Sequence, residues 1–505
     1  MIEGIISGAG ELFTWEILIA TNIGILLGII FGSVPGLTVD IAIALFTPIT
    51  FALDPTMAIL TLLGIYCGGT YGGSITAITI KTPGTPAAAA TLLDGHPLAE
   101  RGQARKALDM AIIGSVIGGV ISALALLTFA PQISKLTLNF GPAEFFTLAI
   151  FGLSVIAGVS GKNIIKGLIG ACIGYYIAMI GMDSESAVAR FTFDDFRLLE
   201  GIPLLVGLVG LFIISELLIK SNNRTNDVNN KTKPITLNND GIKWKEVKGN
   251  SKTLFRSSII GTIVGAIPGT GGGVAAFLSY DQAKKRSKNR DKFGTGELEG
   301  IGAAETANSA TTGSTLIPLL TLGIPGDGVT AILLGSLMLH GLTPGPTLFE
   351  DHTNVIYAIM LGLLLINILM LLQGRYLVKW FSKISVVPYS LLIPLIAVFS
   401  ATGSYAVNYS SFHVILIMII GILGYVLFKL GFSTIPVLLG FILGPIAEEN
   451  YRNAMVISDG SFLIFLTRPF SLIFVILTLM TIITFFINNI RKKENGDSSQ
   501  KLSQR

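Results

Sequence analysis

The chain of 505 residues carries only 13% charged residues, against 51% hydrophobic ones, and its mean hydropathy is +0.70. Soluble domains typically contain about 25% charged residues, so this composition excludes an ordinary soluble protein. The net charge of +4 is small and spread over loops, which gives no indication of nucleic-acid binding. The composition predicts an all-α polytopic protein embedded in a lipid bilayer.

Apolar segments of roughly 20 residues, long enough to cross a bilayer as helices, recur along the chain. In order, they are residues 15–34, 107–130, 145–159, 164–180, 202–219, 355–372, 386–401, 414–428 and 462–487. Other apolar segments are interrupted by Gly and Pro. We therefore expect about 10–12 spans, some of them formed by broken or re-entrant helices. The first segment has no basic region before it, so it is predicted to be retained structure and not a signal peptide.

Short motifs recur in the same order in the two halves of the chain. The pairs are GSVPG at 32–36 with GAIPG at 265–269, KTPGT at 81–85 with GIPGD at 323–327, and IPLLVG at 202–207 with IPVLLG at 435–440. The first and last pairs have the same offset (265 − 32 = 233 and 435 − 202 = 233), and the middle pair is offset by 242 (323 − 81). The chain is therefore interpreted as two copies of one membrane unit.

Basic residues predict the orientation, because cytoplasmic loops near spans carry an excess of Lys and Arg. No Lys or Arg precedes Lys81, whereas nine lie from Lys220 to Arg256. The amino terminus is then external, the carboxyl terminus is cytoplasmic, and the two repeats have inverted topology. The predicted divisions are repeat one at 15–219, a cytoplasmic linker at 220–256, inverted repeat two at 257–449, an additional span at 450–490 and a cytoplasmic tail at 491–505.

Four interruptions at Pro-Gly define the candidate substrate site: the first break (32–38), the second break (81–86), the third break (265–273) and the fourth break (323–328). A helix that stops inside a membrane leaves backbone groups unpaired, which is tolerable only where they line a cavity or face a ligand. Helix amino termini suit anions, and Gly allows a ligand to approach closely. The predicted substrate-binding residues are Pro35, Gly36, Thr38, Lys81, Thr82, Pro83, Gly84, Thr85, Pro268, Gly269, Thr270, Gly271, Pro325 and Gly326.

Ionisable and amide side chains at membrane depth are costly and are therefore candidates for cation coupling. Those in this chain are Asp40, Glu305, Asn308 and Asp327. No cofactor or metal centre is predicted, only a coupling ion, Na⁺ or H⁺. Lys81 has two interpretations: a partner for a carboxylate, or a side chain that extends to the cytoplasmic interface. Asp40 has an alternative position at the external surface, and Glu305 and Asn308 have alternative roles in capping and pairing within the bundle.

A set of longer motifs gives a specific resemblance. They are PG at 35–36, GIYCGGTYGGS at 64–74, TPGTP at 82–86, LDGHPL at 93–98, GAIPGTGG at 265–272, FGTGELEG at 293–300, AN at 307–308, GIPG at 323–326 and PGP at 344–346. With them the chain resembles, from about Gly24 to Pro469, the large permease subunit of the tripartite tricarboxylate transporters, the TctA family. The family usually has Asn where this chain has Lys81, a departure that could alter charge selectivity.

This resemblance implies an ion-driven secondary transporter in the bacterial cytoplasmic membrane that imports citrate or another carboxylate. It also implies two protein partners, a small four-span membrane subunit (TctB-like) and an extracytoplasmic solute-binding protein (TctC-like). We expect the binding protein to dock near residues 350–354.

Two other classes of function are considered. An anion channel would also use Gly-rich breaks, but inverted duplication favours alternating access. A membrane enzyme acting on a lipid-linked anion would need a catalytic set, and the four histidines show no metal-ligand spacing. The sequence therefore favours a transporter over an enzyme.

Overall fold

The structure is a computed structural model that describes residues 2–34, 36–159, 164–183, 186–222, 241–378, 380–381 and 389–484. Pro35, residues 223–240 of the predicted linker, the end of the additional span and the tail at 491–505 lie outside the described residues. Within them, the regular structure is helical apart from an antiparallel pair of strands, β1 (Gly181–Met182) and β2 (Ala189–Arg190). In that pair, Gly181 is opposite Arg190.

The described helices follow the apolar segments and their interruptions. They are α1 (Ile2–Leu12), α2 (Trp15–Gly32), α3 (Val39–Thr50), α4 (Pro55–Ile80), α5 (Ala88–Leu98), α6 (Ala104–Thr137), α7 (Pro142–Val159), α8 (Ile164–Ala178), α9 (Leu204–Leu208), α10 (Ser215–Asn222), α11 (Trp244–Gly249), α12 (Ser251–Ala266), α13 (Gly271–Arg286), α14 (Leu298–Ser314), α15 (Leu316–Leu322), α16 (Gly328–Leu339), α17 (Leu348–Asp351), α18 (Thr353–Tyr376), α19 (Tyr389–Asn408), α20 (Ser411–Lys429), α21 (Thr434–Ile457), α22 (Ile464–Thr467) and α23 (Pro469–Thr484). π-Helical turns at Ala99–Gln103 and Val209–Ile214 join α5 to α6 and α9 to α10.

Six helical segments among the described residues are long and apolar enough to cross a membrane, and further apolar helices of 10–17 residues accompany them. The six are Trp15–Gly32, Pro55–Ile80, Ala88–Thr137, Leu204–Ser221, Thr353–Tyr376 and Ser411–Lys429. The prediction of an all-α, multi-pass membrane protein is confirmed.

Contacts divide the chain into two compact units. The first unit combines Met1–Leu138 with Leu208–Gly421, and the second combines Asn139–Gly207 with Ile422–Arg505. Both units draw on residues from each predicted repeat, so the repeats are not separate compact bodies.

In the first unit, α2 and α4 pack backbone to backbone through glycines spaced one turn apart. Gly24, Gly28 and Gly32 on α2 face the backbone carbonyls of Thr61, Ile65 and Gly69, respectively, on α4. A Cβ atom at any of the three glycines would overlap the facing carbonyl oxygen. Residue numbers rise together on both helices, so α2 and α4 are parallel. Such close approach through small residues is the usual basis of helix association in membranes.

The helices α12 and α14 pack in the same manner. Gly261 on α12 faces the carbonyl of Ala307 on α14, and Gly265 faces Thr311 one turn later. Gly261 and Gly265 lie 233 positions after Gly28 and Gly32 of α2 (261 − 28 and 265 − 32). This is the same offset that separates the first and last pairs of repeated motifs. The pair α12 and α14 is therefore also parallel.

The two helix pairs run in opposite directions. Tyr66 on α4 lies beside Thr315, with 3.4 Å between their hydroxyl oxygens, whereas Ser74, two turns further along α4, contacts Glu305. Residue numbers thus fall along α14 as they rise along α4. The second pair runs antiparallel to the first.

The ends of α4 lie among different segments of the first unit. Near its amino end, Thr56 bonds Glu11 of α1, while near its carboxyl end the carbonyl of Ile78 contacts Nδ1 of His96 (3.0 Å). The π turn that follows α5 leads to Lys106, which pairs with Glu246 of α11. The basic segment around residue 106 and the described end of the predicted linker therefore lie together.

Helix boundaries differ from the predicted divisions at two places. Residues 244–256, predicted as linker, form α11 and the start of α12 because the apolar pattern of α12 extends back to Leu254, which is buried. The helix assigned to the end of repeat two continues past residue 449 to Ile457. Its charged last turns are stabilised in the second unit, where Arg452 pairs with Asp183 (2.9 Å) and Glu448 (2.5 Å).

Candidate functional site

The first and second breaks lie against each other in the first unit. The N–H group of Gly84 donates to the carbonyl of Gly73 on α4 (3.1 Å). On its other side, Gly84 faces the carbonyl of Gly32 so closely that a Cβ atom would overlap it. The second break therefore returns along α4 to the point where α2 ends.

The third and fourth breaks are joined directly. Gly269 has a left-handed backbone (φ 82°), and its N–H group donates to the carbonyl of Gly326 (2.8 Å). Gly326 in turn packs against Thr315, where α14 gives way to α15. Gly269 needs to be glycine because its φ angle is left-handed, and Gly326 needs to be glycine because a Cβ atom would be too close to Thr315.

The second and fourth breaks share their backbone geometry. Lys81 ends α4 in the left-handed region (φ 59°), and Gly323 ends α15 in the same region (φ 70°). At the second break, the N–H group of the following residue, Thr82, donates to the carbonyl of Thr76 (3.3 Å). At the fourth break, the N–H group of Ile324 donates in the same way to the carbonyl of Pro318 (3.2 Å). Gly323 corresponds to Lys81, and Pro318 corresponds to Thr76, because each pair is separated by the motif offset of 242 (323 − 81 and 318 − 76).

Two further contacts connect the two halves of the chain in this region. Tyr66 on α4 donates its hydroxyl hydrogen to Oδ2 of Asp327 in the fourth break (2.8 Å). At the third break, a Cβ atom on Gly272 would lie 3.6 Å from Cβ of Ala87, which ends the second break's loop. The structure thus brings the described parts of all four breaks into one region of the first unit.

The predicted substrate-binding residues differ in accessibility. Gly36, Lys81, Thr82 and Pro83 are exposed, Thr38, Thr85, Pro268, Thr270 and Gly271 are partly exposed, Gly84, Gly269, Pro325 and Gly326 are buried, and Pro35 lies outside the described residues. Several hydroxyls are used locally: Thr270 donates to the carbonyls of Val264 and Ile267, and Thr82 donates to that of Ile80. These hydroxyls satisfy carbonyls left open by the interrupted helices.

Asp327 caps a half-helix. Its Oδ1 accepts hydrogen bonds from the N–H (2.8 Å) and the hydroxyl (2.7 Å) of Thr330, and Oδ2 accepts from Tyr66. A carboxylate at a helix amino terminus is stabilised by the free N–H groups and the helix dipole. Both oxygens of Asp327 are therefore already engaged by donors of the protein.

Asp40 lies in the first turn of α3, directly after the first break, and is partly buried. Its Oδ1 is buried, and within the described residues no donor reaches that atom. Asp40 is thus placed at a half-helix amino terminus like Asp327, but without the matching cap.

Glu305, in the middle of α14, is fully enclosed, with 0% of its surface exposed. Ser74 of α4 (2.5 Å) and Thr91 of α5 donate to Oε1, and Ser115 of α6 donates to Oε2 (3.2 Å). Sequence reasoning missed Thr91 and Ser115, because neither stands in a break or a distinctive motif. The four side chains come from four helices.

Asn308 lies one turn after Glu305 and is 3% exposed. Its side-chain oxygen is close to Gly272 in the third break, since a Cβ atom there would lie 2.5 Å from it. Nothing in the described part of the chain accepts a hydrogen bond from its amide nitrogen. Asn308 therefore presents a free donor beside the third break.

A further buried carboxylate links two of the quoted motifs. Oδ1 of Asp94, in LDGHPL, accepts from the N–H groups of Gly294 (2.8 Å), Gly296 (2.8 Å) and Glu297 (2.9 Å), and Oδ2 accepts from Tyr280 (2.8 Å). Gly294 and Gly296 both have positive φ angles, which turn successive N–H groups toward one point. Asp94 thus fixes the FGTGELEG loop to α5, a role the sequence alone did not assign.

Comparison with known proteins identifies the family. The sequence pattern of the tripartite tricarboxylate transporter TctA family matches residues 18–439. The chain belongs to this family. An Agrobacterium vitis relative, described as "Uncharacterized 52.8 kDa protein in TAR-I ttuC' 3'region", is 35% identical over 473 residues, 94% of each chain. A second from the same organism, "Uncharacterized protein in TAR-II ttuC' 3'region", is 38% identical over 235 residues, 46% of this chain and 97% of the relative.

No solved structure matches this TctA-family chain. The predicted resemblance to the family is confirmed, and with it a role in transport as a membrane component of a tripartite tricarboxylate transporter. The family also implies a carboxylate substrate and association with TctB and TctC partners.

Proposed function

We propose that this TctA-family protein is the large permease subunit of an ion-coupled secondary transporter that imports a tricarboxylate or related carboxylate by alternating access. The observation that carries the proposal is the meeting of four helix breaks, two from each predicted repeat, in one region of the first unit. Transporters of this type place their substrate at the interface of repeats, where broken helices present backbone groups.

The duplication is supported by matched contacts and by helix direction. The packing of α12 on α14 repeats that of α2 on α4 at the motif offset, and the second pair runs opposite to the first. Two copies of one unit in opposite orientation can exchange conformations across the membrane, which is the basis of alternating access.

The region offers groups suited to a carboxylate. The amino termini of α3 and α13 have no side-chain cap within the described residues, unlike α16, which Asp327 caps. Asn308 adds an unused amide donor beside α13. Uncapped N–H groups and an amide bind carboxylate oxygens directly. We propose that Asn308 donates a hydrogen bond to the substrate carboxylate, whereas the sequence alone predicted it as a candidate for cation coupling.

Import must be driven by an ion gradient. Moving each negative charge into a cell with a negative interior costs about 2.3 kcal/mol per 100 mV. Co-transported cations, Na⁺ or H⁺, must offset this cost. We therefore propose symport, with no cofactor and no chemical conversion of the carboxylate.

Capture is proposed to depend on the two partners of the tripartite system. Glu350, Asp351 and Asn354 are exposed, and Asn354 accepts a hydrogen bond from Ser7 of α1 (2.6 Å). This surface lies beside the predicted external amino terminus. It is the proposed docking surface for the extracytoplasmic binding protein, and the small four-span subunit is expected to associate within the membrane.

The test is uptake into proteoliposomes that contain the permease and the small subunit, with the binding protein supplied outside. Labelled citrate and other carboxylates are offered with and without Na⁺ and pH gradients. Saturable accumulation that needs both the binding protein and a cation gradient supports the proposal. Passive flux that follows the substrate gradient and needs neither would instead identify an anion channel.

A further inference from the structure

Glu305 is a fully enclosed carboxyl group of the candidate site, and its surroundings are unusual. It contacts three hydroxyl groups, and no lysine, arginine or histidine within the described residues forms an ion pair with it. An ionised carboxylate enclosed in protein at membrane depth without a counter-charge is very costly, so such a group takes up a proton instead.

We propose that the coupling ion is a proton and that Glu305 carries it, inside a cage formed by the hydroxyl groups of Ser74, Thr91 and Ser115. This inference rests on the proposed function and deepens it, because symport alone leaves Na⁺ and H⁺ open. Glu305 takes its proton from the external water in the outward-open state and releases it to the cytoplasm in the inward-open state. Each cycle therefore moves one positive charge through this group.

The geometry of the cage favours a proton over a metal cation. The hydroxyl oxygens contact the carboxyl oxygens directly, at 2.5 Å for Ser74 and 3.2 Å for Ser115. A cation would need these oxygens to surround it and stand apart, with hydroxyl hydrogens turned away.

The cage is connected to the proposed substrate site through two of its hydroxyls. Ser74 directly follows Gly73, whose carbonyl accepts the N–H of Gly84 in the second break. Thr91 lies in the first turn of α5, which starts where that break ends. A substrate that displaces the second break must therefore move Ser74 and Thr91 against Glu305. Substrate binding and protonation are thereby coupled.

Other titratable groups on the surrounding helices do not share this proton. In the described structure none of them is hydrogen-bonded to Glu305. Among them are Cys67 and Tyr71 on α4, Asp94 and His96 on α5, Arg105 and Asp109 on α6, Arg256 on α12 and Tyr280 on α13. Asp109 pairs with Arg105 (3.0 Å), and Asp94 is held by Tyr280 and the loop before α14.

The decisive variant is Glu305→Gln, which has the shape and hydrogen-bonding pattern of a permanently neutral carboxyl group. We expect exchange of internal for external carboxylate to continue, while accumulation driven by a pH gradient is lost. Glu3→Gln removes an exposed carboxylate of α1 and is the matched control, with both activities unchanged. Accumulation by Glu305→Gln equal to that of the wild type would overturn the inference.

Thr91→Val tests the cage itself, since it keeps the volume and removes one donor to the carboxylate. Losing a hydrogen bond to the charged form favours the neutral acid, so the pH of half-maximal uptake is expected to rise by about one unit. A merely structural role would lower the rate at every pH without moving the profile.

A measurement on the wild type guards against misfolded variants. In Na⁺-free choline buffer, carboxylate uptake should make the external medium more alkaline, as followed with a pH-indicator dye. Uptake that strictly requires Na⁺ and leaves the external pH unchanged would refute proton coupling while the proposed transport function stands. Absence of any carboxylate transport would refute the proposed function itself.

Discussion

Lys81 stands at a position where the sequence resemblance leads us to expect Asn. The structure places it at the left-handed end of α4, a conformation that Asn adopts more readily than other residues with side chains. The backbone alone therefore favours Asn. The Lys found there instead places an exposed charge beside the second break, where we propose that it pairs with the carboxylate.

Replacing Lys81 by Asn tests that use. An exposed pairing with a carboxylate contributes about 1 kcal/mol, so KM for the carboxylate should rise about fivefold in Lys81→Asn. Thermal stability should not fall, because Asn tolerates the left-handed backbone. Lys81→Arg keeps the charge and should keep KM, as measured by initial uptake rates. An unchanged KM in Lys81→Asn would assign the side chain to the membrane interface instead.

Asn308 and Ser309 form a matched pair for testing the proposed carboxylate donor. Both are buried on α14 and each has a polar atom that no other described residue engages. Asn308 has a contact with the third break, because its side-chain oxygen lies close to Gly272. Asn308→Leu should raise KM about tenfold, the value of one hydrogen bond to a charged group. Ser309→Ala should leave KM unchanged, and equal effects of both variants would argue against a specific donor.

At the level of helices, close backbone contact decides which elements pair. The glycines of α2 leave room for the carbonyls of α4, and those of α12 do the same for α14. In a membrane the apolar lipid offers little drive for burying apolar side chains, so such steric fit determines the register.

Gly28→Ala and Gly10→Ala test this packing with the same chemical change. A methyl group at Gly28 overlaps the carbonyl of Ile65, whereas none of the described atoms lies within 4 Å of one at Gly10 on α1. We expect Gly28→Ala to lose about 1–3 kcal/mol of stability by overpacking. Gly10→Ala should gain about 0.5–1 kcal/mol from helix propensity. Thermal unfolding in detergent measures both, and equal stability of the two variants would contradict close packing of α2 on α4.

At the scale of the whole molecule, the orientation of the chain is the prediction with the widest consequences. Inverted repeats require the amino terminus and the α13 basic segment to face opposite sides of the membrane. Glu3 and Lys285 are both exposed, which makes them suitable reporters.

Single cysteines at Glu3 and Lys285 provide the measurement. Cys172 is exposed and is first replaced by Ser, while Cys67 is buried. A membrane-impermeant maleimide should label Glu3→Cys in intact spheroplasts and Lys285→Cys only after permeabilisation. Labelling of both from the same side would exclude the inverted assignment.

The sequence by itself determined the features that depend on local chain properties. Composition and apolar length identified a helical membrane protein, since residues that favour lipid must form helices to satisfy their backbone groups. The Pro-Gly motifs correctly located helix interruptions at α2, α4, α12 and α15, because Pro lacks an N–H group and Gly adopts left-handed angles. The quoted motifs gave a resemblance to the TctA family, which the comparisons confirmed.

Tertiary structure alone decided which side chains meet. The cage around Glu305 combines Ser74, Thr91 and Ser115 from three other helices, and nothing in their local sequence marks them as partners. Asp327 became a helix cap, although its position equally suited a cation ligand. Such contacts depend on the register between helices, which is determined by steric fit over many residues and is not written in any single segment.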